Sequence, residues 1–256
     1  MNTEIINLYS EMFEVKLVET QEELNKVYSL RYQVYTKENG WEPENSEEFE
    51  KDACDKNSIH CLLIFKPTGE AVGTVRMVLP TPDNLESSYP IQAVCTHPML
   101  KDKAYISRMG EISRMAISKE ARKKIISNKR LWWIIIKTGQ NPKKVLSDLG
   151  GCLSAGLMEG ILKMVTQGGL QGAFAVMEPV FIRMLRKHGI NCKLLGKPIN
   201  YHGRRQPCYF DIDTLIKAKK ANINIYNFIS HDGDVEETLR TTCLNDKDSP
   251  FKSYVA

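Results

Sequence analysis

The chain lacks several features that would place it in whole classes of protein. Its longest purely apolar run, Leu131 to Ile136, is six residues long, whereas a helix that crosses a bilayer needs roughly 20. Its opening residues include acidic side chains and have neither the basic start nor the apolar stretch of an export signal. We therefore expect a cytoplasmic protein with no transmembrane segment.

Paired cysteines are absent as well. The seven cysteines are scattered through the sequence, none forms a CxxC pair, and their number is odd. This pattern predicts neither a disulfide framework nor a zinc site, and we expect no bound metal. The thiols are interpreted as reduced and mostly buried.

The chain as a whole also lacks a strong charge of one sign. Its net charge is +4, far from the strongly basic balance of nucleic-acid-binding proteins, so nucleic acid is not an expected partner. The stretch Lys119 to Lys144 is nevertheless rich in Lys and Arg, with Glu120 as its single acidic residue. Such a stretch suits an acidic partner, although a solvated surface also explains it.

What the chain does contain is the composition of a globular protein. Hydrophobic residues make up 42% and charged residues 26% of the sequence. Its 256 residues fit one α/β domain with an extension. We predict a domain over residues 1–213, with a basic helical or loop insertion at about 119–150, and a C-terminal helical extension and tail over 214–256.

The periodicity of apolar residues predicts alternating helices and strands. A first helix follows Thr20, which forms a capping-box pair with Glu23. The later segments are a hairpin at 60–65 and 71–79, a strand within 110–118, a helix at 151–166, a strand at 171–177, a helix at 179–188, and strands near 193–195 and 208–212. This order predicts a mixed α/β sheet with helices on both faces.

A spaced set of charged and aromatic residues runs along the chain: Arg31, Tyr35 and Trp41 as R-x3-Y-x5-W, the pair Asp52 and Asp55, Arg76 in GTVRM, and Glu111 and Arg114 in GEISRM. A later segment reads MEPVFIRMLRKHGI. In combination and order, these pieces resemble the acyl-homoserine-lactone synthases and their relatives, the N-acyl amino acid synthases. The resemblance covers roughly residues 20–212. The segment YHGRRQPCYFDI is similar to the branch associated with exosortase (PEP-CTERM) systems.

The resemblance implies a GNAT-like fold with a mostly antiparallel central sheet. It also implies an N-acyltransferase that moves a fatty acyl chain from acyl carrier protein to the amine of an amino acid or related acceptor. The donor group is then acyl-phosphopantetheine, and no cofactor is tightly bound. Three alternatives stay open: a coenzyme-A-dependent GNAT enzyme, an acyl-homoserine-lactone synthase, and a non-catalytic module that binds acyl lipids.

These residues suit amide formation. Glu111 is the candidate base, with Arg114 as its catalytic partner, and backbone N–H groups from Arg114 to Ala116 are candidate donors to a tetrahedral intermediate. On a regular strand Glu111 and Arg114 would face opposite sides, so a bulge is needed if both line one site. The resemblance implies that the substrate-binding residues are Arg31, Tyr35, Trp41, Asp52, Asp55, Arg76, Met115 and Ala116. Taken alone, Asp52 and Asp55 also fit solvated turn residues.

The donor prediction rests on the turn after Ser118, where coenzyme-A-dependent GNAT enzymes place a Gly-rich phosphate loop. Here the sequence continues as SKEARKKIISNKR, and the Gly-rich segment DLGGCLSAG comes later and in a different order. This favours a carrier protein, whose acidic surface would suit the basic stretch. The candidate docking residues are Lys123, Lys124, Arg130, Lys143 and Lys144. The length of the acyl chain depends on packing among Met115, Leu153, Leu157, Phe174 and Met177, which spacing does not determine.

Overall fold

A computed structural model describes residues 3–187, 190–201 and 203–211. The predicted C-terminal extension over 214–256 therefore lies outside the described residues, as does Cys243. The other six cysteines are free thiols, and all of them except Cys54 are buried.

Helices and strands alternate along the described chain. The α-helices are α1 (Thr3–Met12), α2 (Gln21–Tyr32), α3 (Lys103–Ile106), α4 (Lys119–Ser127), α5 (Lys129–Thr138), α6 (Pro142–Gln167) and α7 (Pro179–Lys187). The strands are β1 (Phe13–Leu17), β2 (Ser58–Phe65), β3 (Glu70–Val78), β4 (Met109–Ile117), β5 (Gly172–Met177), β6 (Lys193–Leu194), β7 (Ile199–Asn200) and β8 (Arg204–Asp211). A π-helix, Gln33–Glu38, continues α2, and short 3₁₀ helices occur at Ala53–Asn57, Pro82–Ser87, Pro90–Ala93 and Pro98–Leu100.

The described chain divides into two compact units. The first contains the residues up to Arg76 together with Ser113–Met164, and the second contains Met77–Ile112 together with the described residues from Val165 onward. Strand β3 thus passes from the first unit into the second, and β4 passes back into the first.

In the first unit, β1, β2 and β3 are hydrogen-bonded neighbours in that order. β1 runs antiparallel to β2, with Phe13 opposite Phe65. A short turn ending at Gly69, whose φ is 68°, joins β2 to β3. Glycine adopts this left-handed conformation without strain, so the turn can stay tight and the two strands form a hairpin.

Helix α6 packs closely against α1 and β2 because two of its positions have no side chain. A Cβ atom at Gly156 would collide with the Tyr9 hydroxyl, and one at Gly160 would lie 2.5 Å from the Cys61 sulfur. By length and composition α6 could cross a membrane, but 61% of its most apolar window is buried inside the protein. Such burial is that of the core helix of a globular protein.

In the second unit, β5 lies between β4 and β8. It runs parallel to β4, with Glu111 opposite Phe174, and antiparallel to β8. Strands β6 and β7 also run antiparallel to β8. The rings of Tyr89 and Tyr105 pack at 5.8 and 6.0 Å from the Phe174 ring, which places an aromatic cluster over β5.

The predicted mixed, mostly antiparallel α/β fold is confirmed, with β4 and β5 as a parallel pair. The capping box at Thr20 begins α2 as expected. The prediction omitted α1 and β1, and it began α6 near residue 151, whereas the helix begins at Pro142. Proline suits the first turn of a helix, where its missing N–H costs nothing. The basic insertion at about 119–150 therefore consists of α4, α5 and the start of α6.

Candidate active site

Six charged side chains from distant parts of the sequence meet in the first unit: Arg31, Glu50, Asp52, Asp55, Arg76 and Arg114. We call this group the charge network. It contains three cations and three anions, so it has no net formal charge. Asp52 and Arg114 are partly exposed, and the other four members are buried. Because isolated charges are costly to bury, this balance is what allows the network to lie inside the protein.

Local structure brings the two aspartates to the same side of their loop. Asp52 caps the 3₁₀ helix Ala53–Asn57, where its carboxylate accepts from the Cys54 N–H at 2.9 Å. Asp55 reaches back and accepts from the Asp52 N–H at 2.7 Å, which completes a capping box. Arg76 then donates from Nη1 to Asp52 at 2.6 Å and to Asp55 at 2.7 Å. The aspartates are therefore not solvated turn residues.

The arginines come from a helix and two strands. Arg31, in the last turn of α2, donates to both oxygens of Asp55, at 2.7 and 3.3 Å, and also to Glu50. Arg76, on β3, donates from Nε to the Ser113 hydroxyl at 3.0 Å. Arginine suits these positions because its planar fork binds two acceptors in fixed geometry. These hydrogen bonds thereby hold the acidic loop before β2, which contains Glu50, Asp52 and Asp55, against α2 and β3.

Arg114 has an unusual backbone for a strand residue. Its φ is 51°, in the left-handed region that side chains other than glycine seldom adopt. Its Nε donates to Glu50 at 3.0 Å, and its Nη2 lies 2.9 Å from Asp52 Oδ2. These ion pairs hold a conformation that costs on the order of 1–3 kcal/mol. β4 is thus irregular at Arg114, so the alternation expected of a regular strand does not hold between positions 111 and 114.

Burial and ion pairing act in opposite directions on the aspartates. Burial raises the pKa of Asp55, but hydrogen bonds from Arg31 and the charge of Arg76 outweigh it and lower the pKa to about 2. The pKa of Asp52 is lowered in the same way, since Arg76 and Arg114 outweigh its burial. Both groups are ionised at neutral pH and are too weakly basic to remove a proton from an amine.

His60, on β2, lies beside the network. Its Nε2 is 3.7 Å from Asp55 Oδ1, beyond hydrogen-bond distance, and its ring packs edge-on against Tyr28. Burial lowers the pKa of His60 to about 4, although the charge of Asp55 acts in the opposite direction. The imidazole is therefore neutral at pH 7 and leaves the charge balance of the network unchanged.

Two aromatic side chains lie at the partly exposed edge of the network. The guanidinium carbon of Arg114 is 5.5 Å from the centre of the Tyr35 ring, and the Trp41 ring packs edge-on against Tyr35 at 5.5 Å. The backbone N–H of Trp41 donates to the Tyr35 carbonyl at 2.8 Å. Trp41 is 40% exposed and so presents apolar surface beside Tyr35. The structure brings Tyr35 to the network and Trp41 to Tyr35, and their role in substrate binding stays a prediction.

The candidate base, Glu111, belongs to the second unit. Its side chain is 3% exposed, and its Oε2 accepts from the Ile91 N–H at 2.8 Å. Tyr89 lies close by: its pKa is raised by burial and, to a smaller extent, by the charge of Glu111. The pairing of β4 with β5 covers Met109 to Ile112. Glu111 is thus a buried carboxylate held by a backbone donor, and its role as the base stays a prediction.

Two further candidate substrate-binding residues follow Arg114 on β4. Met115 is half-buried and Ala116 is buried. A Cβ atom at Gly73, on β3, would lie 3.2 Å from the Ala116 carbonyl oxygen, so the two strands approach closely here. Position 116 therefore contributes backbone rather than an extended side chain.

The candidate docking residues lie on α4, α5 and the start of α6. Lys123, Lys143 and Lys144 are exposed. Lys124 pairs with Glu70 at 2.6 Å, and Arg130 pairs with Glu11 at 3.0 Å. The last two therefore have part of their charge neutralised within the chain.

One member of the charge network, Glu50, was missed by the sequence analysis. It accepts from both Arg31 and Arg114 and is 7% exposed. Its only signal in the sequence is the spacing E-x-D-x-x-D, which places it two residues before Asp52 and five before Asp55. Several other glutamates occupy the same acidic loop, so composition does not distinguish it.

A second acidic residue that was missed, Glu38, lies on the N-terminus of α4. Its carboxylate accepts from the Ser118 hydroxyl at 2.8 Å and from the N–H groups of Lys119 and Glu120 at 2.9 and 3.2 Å. Partial burial raises the pKa of Glu38, but these hydrogen bonds together lower it below its ordinary value. The anion-attracting end of this helix is therefore already occupied by a carboxylate of the same chain.

A comparison with known proteins matches part of the chain to one family model. Residues 30–133 match the family model described as "Acetyltransferase (GNAT) domain", which is less than half of the chain. This segment includes all six members of the charge network as well as Tyr35, Trp41, Glu38 and Glu111. No curated protein sequence matches the chain.

Solved structures share the fold. They include the AHL synthase LasI, with a TM-score of 0.52 and 18% identity, covering 77% of this chain and 88% of that chain. The CoA-dependent acyl-homoserine lactone synthase BjaI has a TM-score of 0.55 and 16% identity, covering 82% and 89%. FeeM, an N-acyl amino acid synthase from uncultured soil microbes, has a TM-score of 0.50 and 10% identity, covering 78% and 92%. The expected GNAT-like fold is confirmed.

Proposed function

We propose that this protein is an N-acyltransferase that moves a fatty acyl chain from acyl carrier protein to the amine of an amino acid or a closely related acceptor. The GNAT domain match supports the reaction class. The observation that carries the choice of acceptor is the partly exposed edge of the charge network. There the side chains of Arg114 and Asp52 lie 2.9 Å apart and are 16% and 30% exposed.

This edge offers two opposite charges side by side. The guanidinium of Arg114 suits a carboxylate, and the carboxylate of Asp52 suits an ammonium group. Each keeps another partner if an acceptor inserts between them, because Arg114 also binds Glu50 and Asp52 also binds Arg76. The acceptor can therefore be held without leaving a network charge unpaired.

The proposed chemistry begins with deprotonation of the acceptor amine, since only the neutral amine attacks a thioester. Glu111 takes that proton, directly or through a water. The nitrogen then bonds to the acyl carbon, the carbon–sulfur bond breaks, and the phosphopantetheine thiol leaves with a proton. Backbone N–H groups from Arg114 to Ala116, where β4 is irregular, are the proposed donors to the oxyanion.

The proposed donor is a carrier protein because of the residue on the N-terminus of α4. A phosphate group of coenzyme A bound in this turn would have to displace the Glu38 carboxylate from the Lys119 and Glu120 N–H groups, or bear its repulsion. A carrier-bound phosphopantetheine arm lacks the 3′-phosphoadenosine and one of the two bridging phosphates of coenzyme A. Glu38 therefore hinders coenzyme A more than it hinders the carrier-bound arm.

The proposed docking surface for the carrier is the set of exposed basic side chains at Lys123, Lys124, Arg130, Lys143 and Lys144. Exposed like charges that outnumber their acidic neighbours attract an acidic partner over several ångströms and raise its rate of encounter. Since Lys124 and Arg130 have internal partners, Lys123, Lys143 and Lys144 are expected to contribute most.

Mass spectrometry of organic extracts tests the proposal. Cells that overproduce the protein are expected to contain a new N-acyl amino acid, which disappears with Glu111→Gln and persists with the matched control Glu120→Gln on the exposed start of α4. Product in the Glu111→Gln extract at the wild-type level would remove Glu111 as the base. An acyl-homoserine lactone would identify the alternative synthase, and the absence of any acylated amine would contradict the proposed function.

A further inference from the structure

The surface formed by the end of α4 and the exposed side of α5 is unusually apolar. Ile126 is 48% exposed, Trp133 58% and Ile136 71%. These three account for half of the exposed large hydrophobic side chains in the described residues. They lie within eleven positions of the sequence, so the exposure is local rather than scattered. We call them the apolar patch.

The two helices hold the patch in one place. Trp132 donates from its indole nitrogen to the Ile126 carbonyl, which joins the end of α4 to α5. Leu131 and Ile135, both 0% exposed, anchor the opposite side of α5 in the first unit. The buried side of α5 therefore fixes the orientation of the helix. Trp133 and Ile136 lie on its opposite, exposed side.

Positive charge surrounds the patch. Arg122, Lys123, Lys129 and Lys137 are exposed, and Lys137 lies 3.7 Å from the centre of the Trp133 ring. Acidic groups nearby are already engaged: Glu120 pairs with Lys124, Glu11 with Arg130, and Glu4 contacts Gln140 at the end of the α5 turn. The patch is thus rimmed by exposed cations, while these three acidic side chains are engaged by other partners.

We propose that α4 and α5 dock this protein on an anionic lipid surface, with the apolar patch inserted at the interface between headgroups and acyl chains. A tryptophan flanked by aliphatic and basic residues on one side of a helix is the arrangement that lies in the plane of such an interface. The aromatic ring occupies the boundary, the isoleucines enter the apolar layer, and the lysines meet the lipid phosphates.

The exposed apolar side chains of the patch and the cations around it together favour a membrane over a protein partner. Tryptophan and isoleucine at this exposure offer apolar insertion, whereas a purely electrostatic docking site for an acidic protein needs only the basic residues. The proposal does not depend on the acyltransferase activity. The two are compatible, because fatty acyl products partition into membranes and a docked enzyme would release them there.

Co-sedimentation with vesicles tests the proposal. The full-length protein is expected to bind vesicles of phosphatidylglycerol and phosphatidylcholine, and to bind phosphatidylcholine vesicles much more weakly. The double variant Trp133→Ser, Ile136→Ser is expected to lower the partition coefficient at least about tenfold, since it removes two inserted side chains. The matched control Val180→Ser removes a side chain that is 62% exposed on α7 and is expected to bind like the wild type.

Several outcomes would overturn the proposal. Wild-type protein that stays in the supernatant with anionic vesicles would exclude lipid docking. A double variant that binds as well as the wild type would place any lipid contact elsewhere in the chain. Loss of acyl carrier protein binding in that variant, with no vesicle binding by the wild type, would identify the patch as a carrier surface. A reduced molecular mass in solution for the variant alone would identify a self-association face. Circular dichroism checks that the variant is folded.

Discussion

The charge network and the basic stretch Lys119–Lys144 both contain pairs of an arginine with a carboxylate, but the pairs are buried in the first and exposed in the second. Arg31 and Asp55 are 2.7 Å apart, with side chains 0% and 4% exposed. Arg130 and Glu11 are 3.0 Å apart, with side chains 60% and 48% exposed. Water screens the exposed pair, whereas loss of either partner in the buried pair leaves a buried charge that has fewer partners and no water to replace the lost one.

The difference separates two tasks. In the network the charges sum to zero and each arginine has at least two acidic or polar partners, which produces a fixed arrangement with one accessible edge. In the basic stretch Lys and Arg greatly outnumber the single acidic residue, Glu120, which produces attraction at a distance. A site that positions a small acceptor needs the first property, and a surface that recruits a large anionic partner needs the second.

Removal of a buried cation is expected to have the largest effect. Arg31→Ala leaves Glu50 and Asp55 each without one of its two arginine partners and is expected to lower the free energy of unfolding by about 3–5 kcal/mol. The matched variant Arg130→Ala breaks an exposed pair and is expected to lower it by less than about 1 kcal/mol. Urea denaturation followed by circular dichroism measures both. Equal effects would show that burial does not distinguish the two regions.

Acid is expected to weaken the buried region through His60. The pKa of His60 is about 4 in the folded protein because of burial, and an ordinary histidine has a pKa near 6.5. Between these values the unfolded chain binds a proton that the folded chain does not, so the free energy of unfolding falls as the pH is lowered, by at most about 3 kcal/mol. His60→Gln is expected to flatten this part of the profile. A wild-type profile that is already flat would contradict the buried, neutral imidazole.

Replacement of Glu38 tests the start of the basic stretch, where its carboxylate binds the N-terminus of α4. Glu38→Ala frees the Lys119 and Glu120 N–H groups and removes a negative charge, so the KM for long-chain acyl-CoA is expected to fall up to about tenfold. Turnover with acyl carrier protein thioester is expected to stay the same. Glu38→Gln fills the same space without charge, and its KM for acyl-CoA is expected to lie between those of the wild type and Glu38→Ala. Wild-type protein that uses acyl-CoA as readily as the carrier thioester would contradict the donor assignment.

Charge reversal on the basic stretch is expected to have the smallest effect, and one that depends on salt. The triple variant Lys123→Glu, Lys143→Glu, Lys144→Glu is expected to raise the KM for the carrier several-fold at low ionic strength and much less at high ionic strength, because salt screens exposed charges. The KM for the amine acceptor is the internal control and is expected to stay constant. A carrier KM that does not change at low salt would remove the docking proposal.

The family resemblance predicts five of the six network residues as site residues, namely Arg31, Asp52, Asp55, Arg76 and Arg114. The structure joins these five in one network. Glu50 could not be selected in advance, since several glutamates occupy the same loop and only the approach of Arg31 and Arg114 distinguishes it. The contact between Glu38 and Ser118 joins positions 80 residues apart, which no local spacing records. Local patterns therefore predict the elements, the family resemblance predicts most of the charged residues, and tertiary structure decides which of them meet.

The backbone of Arg114 illustrates the same limit. On a regular strand the side chains of Glu111 and Arg114 would face opposite sides of the sheet, so the sequence indicates an irregularity if both line one site. Nothing in GEISRM indicates which residue takes the irregular conformation. A positive φ falls on arginine rather than glycine because Glu50 and Asp52 bind its side chain there. Residues distant in sequence thus impose a conformation that local preference opposes.

The most direct test of the account compares two acceptors in the purified protein: the amino acid identified by mass spectrometry and the corresponding amine without its carboxylate. We expect kcat/KM for the amino acid to exceed that for the amine by about 10- to 100-fold, as for the loss of one hydrogen-bonded ion pair. Arg114→Gln is expected to abolish this preference, and the exposed control Arg122→Gln to retain it. Equal use of both acceptors by the wild type, or an equal loss for both acceptors in Arg114→Gln, would contradict the claim that Arg114 and Asp52 hold the acceptor.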